Sequence, residues 1–219
     1  MFKEKPILFN AAMVRAILDG RKTQTRRAIS HKLMQNADTD QKDSGYVYVE
    51  DKYGDWHHVT EFCPYGKVGD RLWVRETFAE KMCSTYGSPD HVFYRADMPD
   101  VKKPNGLKWK PSIFMPKKHC RIFLEIVDVR IERLQNIEEK DAMAEGLKCL
   151  TKDGHITHKY GIPDLDGWPG ACDIGWEWTN WDVCPVKAFK HLWTKTNGGK
   201  SWDDNPWVWV VEFKVVDNA

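Results

Sequence analysis

Ten residues near the end of the chain constrain the fold most. The run 207–216 reads WVWVVEFKVV and places Trp207, Trp209, Val211, Phe213 and Val215 at alternate positions. β-branched and aromatic residues repeating at period two suit a strand with one face on a core, not a helix. Such a strand needs partners, and four other segments offer themselves. Ile7-Leu8-Phe9 reads as a short entry strand. Residues 71–77 (RLWVRET) alternate after a Gly69-Asp70 turn, and residues 91–96 form a shorter candidate. Residues 120–134 are long and rich in β-branched side chains, and the adjacent pair Ile126-Val127 slips their alternation as a bulge would.

Capping logic adds three helices. Asn10 precedes a helical run from Ala11 to Leu18 with Gly20 just past its end, and Met13, Val14, Ile17 and Leu18 share a face. Asn136 and Glu139 stand three apart as a capping box for a run through Ala142 and Ala144 to Gly146. Pro185 starts a helix carrying Val186, Phe189, Leu192 and Trp193 on one face and stopping at Asn197-Gly198-Gly199. The segments at roughly 31–66, 80–118 and 147–183 collect most of the Gly, Pro, Asp and Asn and read as loop insertions with little regular structure. The expected fold class is α+β: a single domain over 1–219, built as a small mixed β-barrel with helices at its ends.

Composition narrows the function classes. The 33 basic and 32 acidic side chains leave a net charge of +1, which gives no bulk push toward coating a nucleic-acid duplex. No stretch approaches the apolar length of a membrane span, and the N-terminus lacks the pattern of a signal peptide. Six scattered cysteines without a CxxC pair read as reduced thiols, so a cytoplasmic address is expected. Of the 11 tryptophans, six fall between Trp168 and Trp202. Most such rings are core by default, and a minority line pockets for flat ligands.

One segment is chemically loaded. Gly20-Arg21-Lys22-Thr23-Gln24-Thr25-Arg26-Arg27 packs four cations and two hydroxyls into eight residues just after a helix stop. On pattern alone it reads as a solvated basic loop. It also resembles the signature of the ASCH family, a branch of the PUA-like β-barrels, whose pattern Gly-x-Lys-x-x-(Glu or Thr)-x-Arg is met by Gly20, Lys22, Thr25 and Arg27. The family's further landmarks are matched by Gly69-Asp70-Arg71-Leu72-Trp73-Val74, by Ala144-Glu145-Gly146 and by the strand from Val208 to Phe213. The resemblance runs end to end, and the chain looks like the longer ASCH proteins of phages and prophages.

The Thr form of the motif is similar to that of small bacterial amidohydrolases which deacetylate cytidine acylated on its exocyclic amine. That resemblance implies Lys22 as proton acceptor, Thr25 as nucleophile and Glu145 as proton donor, acting on an acylated nucleoside without a cofactor. The residues themselves suggest further substrate contacts. Arg27 is the candidate to bind the substrate carbonyl or to hold Glu145, Arg26 adds charge beside the site, and Arg75 is a candidate on the strand after Gly69. Trp73 and Trp207 are the candidate ring-binding tryptophans.

Amide hydrolysis needs a nucleophile, a base for its proton, an acid for the leaving amine and donors for the oxyanion. Lysine is a base only when neutral, and moving its pKa from about 10.4 to near 7 costs roughly 4–5 kcal/mol of differential solvation and repulsion. Burial with nearby guanidinium groups supplies shifts of that size, so the mechanism requires a largely dry pocket. A rival arrangement keeps Lys22 charged to stabilise the oxyanion, uses Glu145 as base toward water and leaves Thr25 to orient the substrate. Glu145 near a helix end opposes the helix dipole, which points to another reason for its place there.

Two other classes compete. His155, His158, Cys149, Cys172, Cys184 and His191 surround the Trp-rich segment, but they show no standard zinc spacing, so no metal is expected. An RNA-binding or RNA-cleaving module would instead use Arg15, Arg21, Lys22, Arg26, Arg27 and Lys32 as a basic mouth, with exposed aromatics stacking on unpaired bases.

Overall fold

A computed structural model describes residues 2–35, 37–38, 47–82, 89–98, 100–154, 156–170 and 174–217. Its centre is a five-stranded sheet in the order Glu4–Leu8, Arg71–Arg75, Phe123–Arg133, Trp207–Val216, Gln24–Ala28. The first pair is parallel and the other neighbours run antiparallel. The class is mixed α+β, as expected, but the sheet is open rather than a closed barrel. Its two edges, Glu4–Leu8 and Gln24–Ala28, share no backbone ladder. Instead the Arg27 guanidinium reaches across and donates to the Leu8 carbonyl at 2.7 Å.

The run at 207–216 takes the fourth place in that sheet, antiparallel to both neighbours, and its middle is buried on both sides. Val208, Trp209, Val210 and Val211 are all sequestered, while Trp207 is half-buried and Val215 exposed, so the one-faced pattern expected from alternation survives only around Phe213. The expected bulge is present: Ile126 faces Phe213, Asp128 faces Glu212, and half-exposed Val127 has no partner between them. The Arg71–Arg75 strand is found, ending two residues sooner than read. The predicted strand at 91–96 lies two residues earlier, at Pro89–Tyr94, and pairs with Phe78–Met82.

The Ala11–Leu18 helix carries the chain from one sheet edge to the other. The Asn10 carboxamide oxygen caps it by accepting from Met13 N at 2.9 Å, and Gly20 closes it at φ +70°. Met13, Val14 and Ile17 are buried as expected, but Leu18 is exposed and Ala16 takes its place. The helix ends at Leu18, where the chain is already turning away from the core.

The capping box at Asn136 does not form. Leu134–Asn136 is a 3₁₀ turn, and the helix runs Glu139–Ala144 after Glu138, which makes no side-chain cap. Leu134 and Ile137 are both buried, and keeping both inside takes a tighter turn than a helix start at Asn136 would give. The Pro185–Asn197 helix is as read, ended by Gly198 at φ +94°.

The three insertions contain more regular structure than the sequence suggested. Ala37–Asp38, Tyr48–Glu50 and Trp56–His58 form a small antiparallel sheet, and Lys148–Thr151 pairs with His158–Gly161. Strands this short leave no readable periodicity. Among the described residues no helix is long and apolar enough to cross a membrane, and Cys63, Cys120, Cys149 and Cys184 are free thiols.

Candidate active site

The loaded segment is not a solvated loop. Its second half, Gln24–Ala28, is an edge strand hydrogen-bonded to Trp207–Val216, with Thr25 opposite Val211. Its first half is tied down by backbone bonds from three directions. Arg21 N and Lys22 N donate to Ala16 O, Thr23 N donates to Ala144 O, and Phe213 N donates to Thr23 O at 2.8 Å. Period two along the strand then sends Gln24 and Arg26 toward the Glu139–Ala144 helix, where Gln24 Nε2 donates to Asp141 O.

These constraints bury a charged constellation. Lys22 is 3% exposed, Thr25 4%, Arg26 4% and Glu145 3%. Lys22 Nζ lies 2.7 Å from Glu145 Oε2 and also donates to the Glu145 carbonyl at 2.9 Å. The second carboxylate oxygen, Oε1, accepts from Arg26 at 3.2 Å. The other terminal nitrogen of Arg26 pairs with Glu132 at 2.9 Å and Asp141 at 3.0 Å. Arg26, not Arg27, is thus the residue that holds Glu145. The bonds of Glu145 supply the reason for a carboxylate at a helix C-terminus, where the dipole alone disfavours it.

Burial holds the Lys22 ammonium below the ordinary lysine range. The attraction of Glu145 opposes this, and the charges of Arg27 and Arg26 reinforce it. At 2.7 Å the two groups are within proton-transfer distance of each other.

Lys22, Thr25, Arg26, Arg27 and Glu145 all line one cavity of about 280 Å³. It opens where the two sheet edges fail to pair, with Leu8 and Phe9 on one side and Thr25 to Ala28 on the other. The third wall is the Pro185–Asn197 helix, which presents Phe189, Leu192, Trp193, Thr196 and Asn197. Those positions follow i, i+3, i+4, i+7, i+8, one stripe of a helix. Phe9 also lies under two cations, 5.7 Å from Lys22 Nζ and 5.3 Å from the Arg27 guanidinium.

Three of the predicted contacts lie elsewhere. Leu72 and Val74 face the core, so alternation turns Trp73 and Arg75 away from the cavity. Arg75 stacks on Trp73 and donates to the carbonyls of Met115 and Ile113, bracing the segment that carries Ser112 to the cavity wall. Trp207 sits under Arg133 in a separate depression lined by Ile29 and Met34. Trp193 is the tryptophan that reaches the site. Its helical stripe was readable, but nothing in the stripe separates a pocket wall from plain core.

Lys22 and Arg26 are engaged in the buried network, and Arg21 pairs with Asp19 at 2.9 Å. His155 and Cys172 fall outside the described residues. Among the described residues no group of three or more His, Cys, Asp or Glu is arranged to hold a metal ion. No family model, curated protein or solved structure matches the chain.

Gly146 fixes the approach of the two motif halves. It sits at φ +107°, and an added Cβ would lie 2.8 Å from Ala16 Cβ and 3.3 Å from Lys22 Cβ. Gly146→Ala is expected to destabilise the fold by about 2–4 kcal/mol through backbone strain and overpacking, read as a lowered urea midpoint.

Proposed function

We propose that this chain is an ASCH-type, PUA-like amidohydrolase that removes acyl groups from the exocyclic amine of cytidine-type nucleosides. The observation that carries the reading is a buried lysine with a depressed pKa, 2.7 Å from a buried carboxylate, in a cavity that also holds the motif threonine. In this reading the neutral Lys22 amine takes the proton from Thr25 Oγ1 as that oxygen attacks the acyl carbon. The carbon–nitrogen bond breaks as Glu145, which carries the proton in the neutral form of the pair, delivers it to the departing amine. Water then attacks the Thr25 ester, releasing the carboxylic acid and restoring the hydroxyl. Arg27, at the mouth and unpaired with any carboxylate among the described residues, is placed to stabilise the oxyanion.

The test is release of acetate from N4-acetylcytidine, followed across pH for the parent and Lys22→Ala. The parent is expected to show a bell-shaped profile, because the mechanism uses the pair carrying one proton: a second proton at low pH blocks the base, and loss of the shared proton at high pH, below the ordinary lysine range, removes the acid. The alanine variant should lose about 10²–10⁴-fold. A gel shift with structured RNA, without turnover of the free nucleoside, would replace this reading with the binding-module one.

A further inference from the structure

Among the described residues, three buried side-chain polar atoms lack a hydrogen-bond partner: Arg26 Nε, Arg27 Nε and Trp193 Nε1. All three are donors, and all three residues line the same cavity. Folded proteins leave few buried donors unpaired, and each needs a reason. Three around one cavity mark a site whose ligand brings the acceptors.

The lining offers few acceptors in return. Both oxygens of Glu145 are taken by Lys22 and Arg26, and Trp193 O accepts from Asn197 Nδ2 at 3.1 Å. Arg26 is locked by three carboxylates, whereas the remaining two donors have no such competition. Arg27 is held at one end only, through its bond to Leu8 O, and the 4%-exposed Trp193 indole comes from a different element on the third wall.

We propose that Trp193 and Arg27 are the specificity residues of this cavity. The indole N–H and the guanidinium Nε–H donate to the two ring acceptors of an acylated cytosine, N3 and the C2 carbonyl oxygen. This rests on the amidohydrolase reading and adds to it the edge by which the base is selected. A site built to donate to two acceptors discriminates against rings that lack either one, because the donor is then buried unpaired.

The experiment compares three acetylated probes: N4-acetylcytosine, the pyridone analogue lacking N3, and the pyrimidine analogue lacking the C2 oxygen. For each probe kcat/KM is measured with the parent, Trp193→Phe and Arg27→Lys. Rates are referred to folded protein, counted from the thermal unfolding transition. Dividing parent by variant for one probe cancels the intrinsic reactivity of that probe. Trp193→Phe should lower kcat/KM about 5–10-fold for N4-acetylcytosine and for one analogue while leaving the other unchanged, and Arg27→Lys, which weakens the oxyanion contact for all three probes alike, should cost the opposite analogue about 5–10-fold less than the other two. The same factor across all three probes in both variants overturns the proposal. If the parent hydrolyses none of the probes, the amidohydrolase reading fails by itself, and the same comparison is made on Kd by calorimetry. Selective loss there upholds acceptor reading, and absence of binding to all three probes overturns it.

Discussion

Thr25→Val is expected to abolish acyl release, with kcat down by about 10⁴-fold or more, whereas Thr25→Ser keeps kcat within roughly tenfold of the parent. Valine has nearly the shape of threonine, and a β-branched side chain suits the strand position opposite Val211, so the fold should survive the change. What valine removes is the oxygen, and with it the covalent step. Serine restores the oxygen on a freer side chain. Lys22 and Glu145 stay paired in both variants, because their bond does not pass through Thr25. Steady-state rates on N4-acetylcytidine decide the matter. Near-normal turnover by the valine variant would mean that water attacks directly, with Lys22 charged and Glu145 as the base.

Arg26→Met should give the largest loss of stability in the chain, about 3–5 kcal/mol. Arg26 is surrounded by Glu132, Asp141 and Glu145, and its side chain is fully screened from solvent. Methionine would fill much of the volume but leave three carboxylates facing one another. Arg130, 3.1 Å from Asp141, compensates in part, which favours the lower end of the range. Burial holds the Glu132 carboxyl above the ordinary carboxylate range, against the pull of Arg26 and Arg130. Without Arg26 that group takes up a proton more readily still. The deficit is therefore largest above the glutamate range and narrows as the pH falls through the raised Glu132 value. Urea denaturation at two pH values measures both the size and the direction.

Much of this architecture was legible because it is local. The Asn10 cap, the stop at Gly20, the helix from Pro185 and the slip at Ile126-Val127 are decided by residues a few positions apart, and they appear where those residues place them. That Lys22, Thr25 and Glu145 meet at one cavity was legible only through resemblance. Lys22 and Glu145 are 123 residues apart, and nothing in composition or periodicity joins them. Arg26 and Arg27 show the limit most clearly. Two adjacent arginines look equivalent in a string, yet period two sends one into a nest of carboxylates and the other across the mouth of the site. Trp73, Arg75 and Trp207 carry suitable chemistry, but the direction in which a strand residue points depends on which face meets the core, and that is settled by the whole sheet. The short strands in the insertions were missed because two to four residues cannot display a period.

The crossing from Arg27 to Leu8 has a consequence for width. A backbone ladder would draw the outer strands to about 4.8 Å, closer than any heterocycle could enter. A single long side chain used as the crossbar spaces them by its own reach. The gauge of the entrance is therefore written in one rotamer, and shortening that side chain alters what can pass without disturbing a single rung of the sheet.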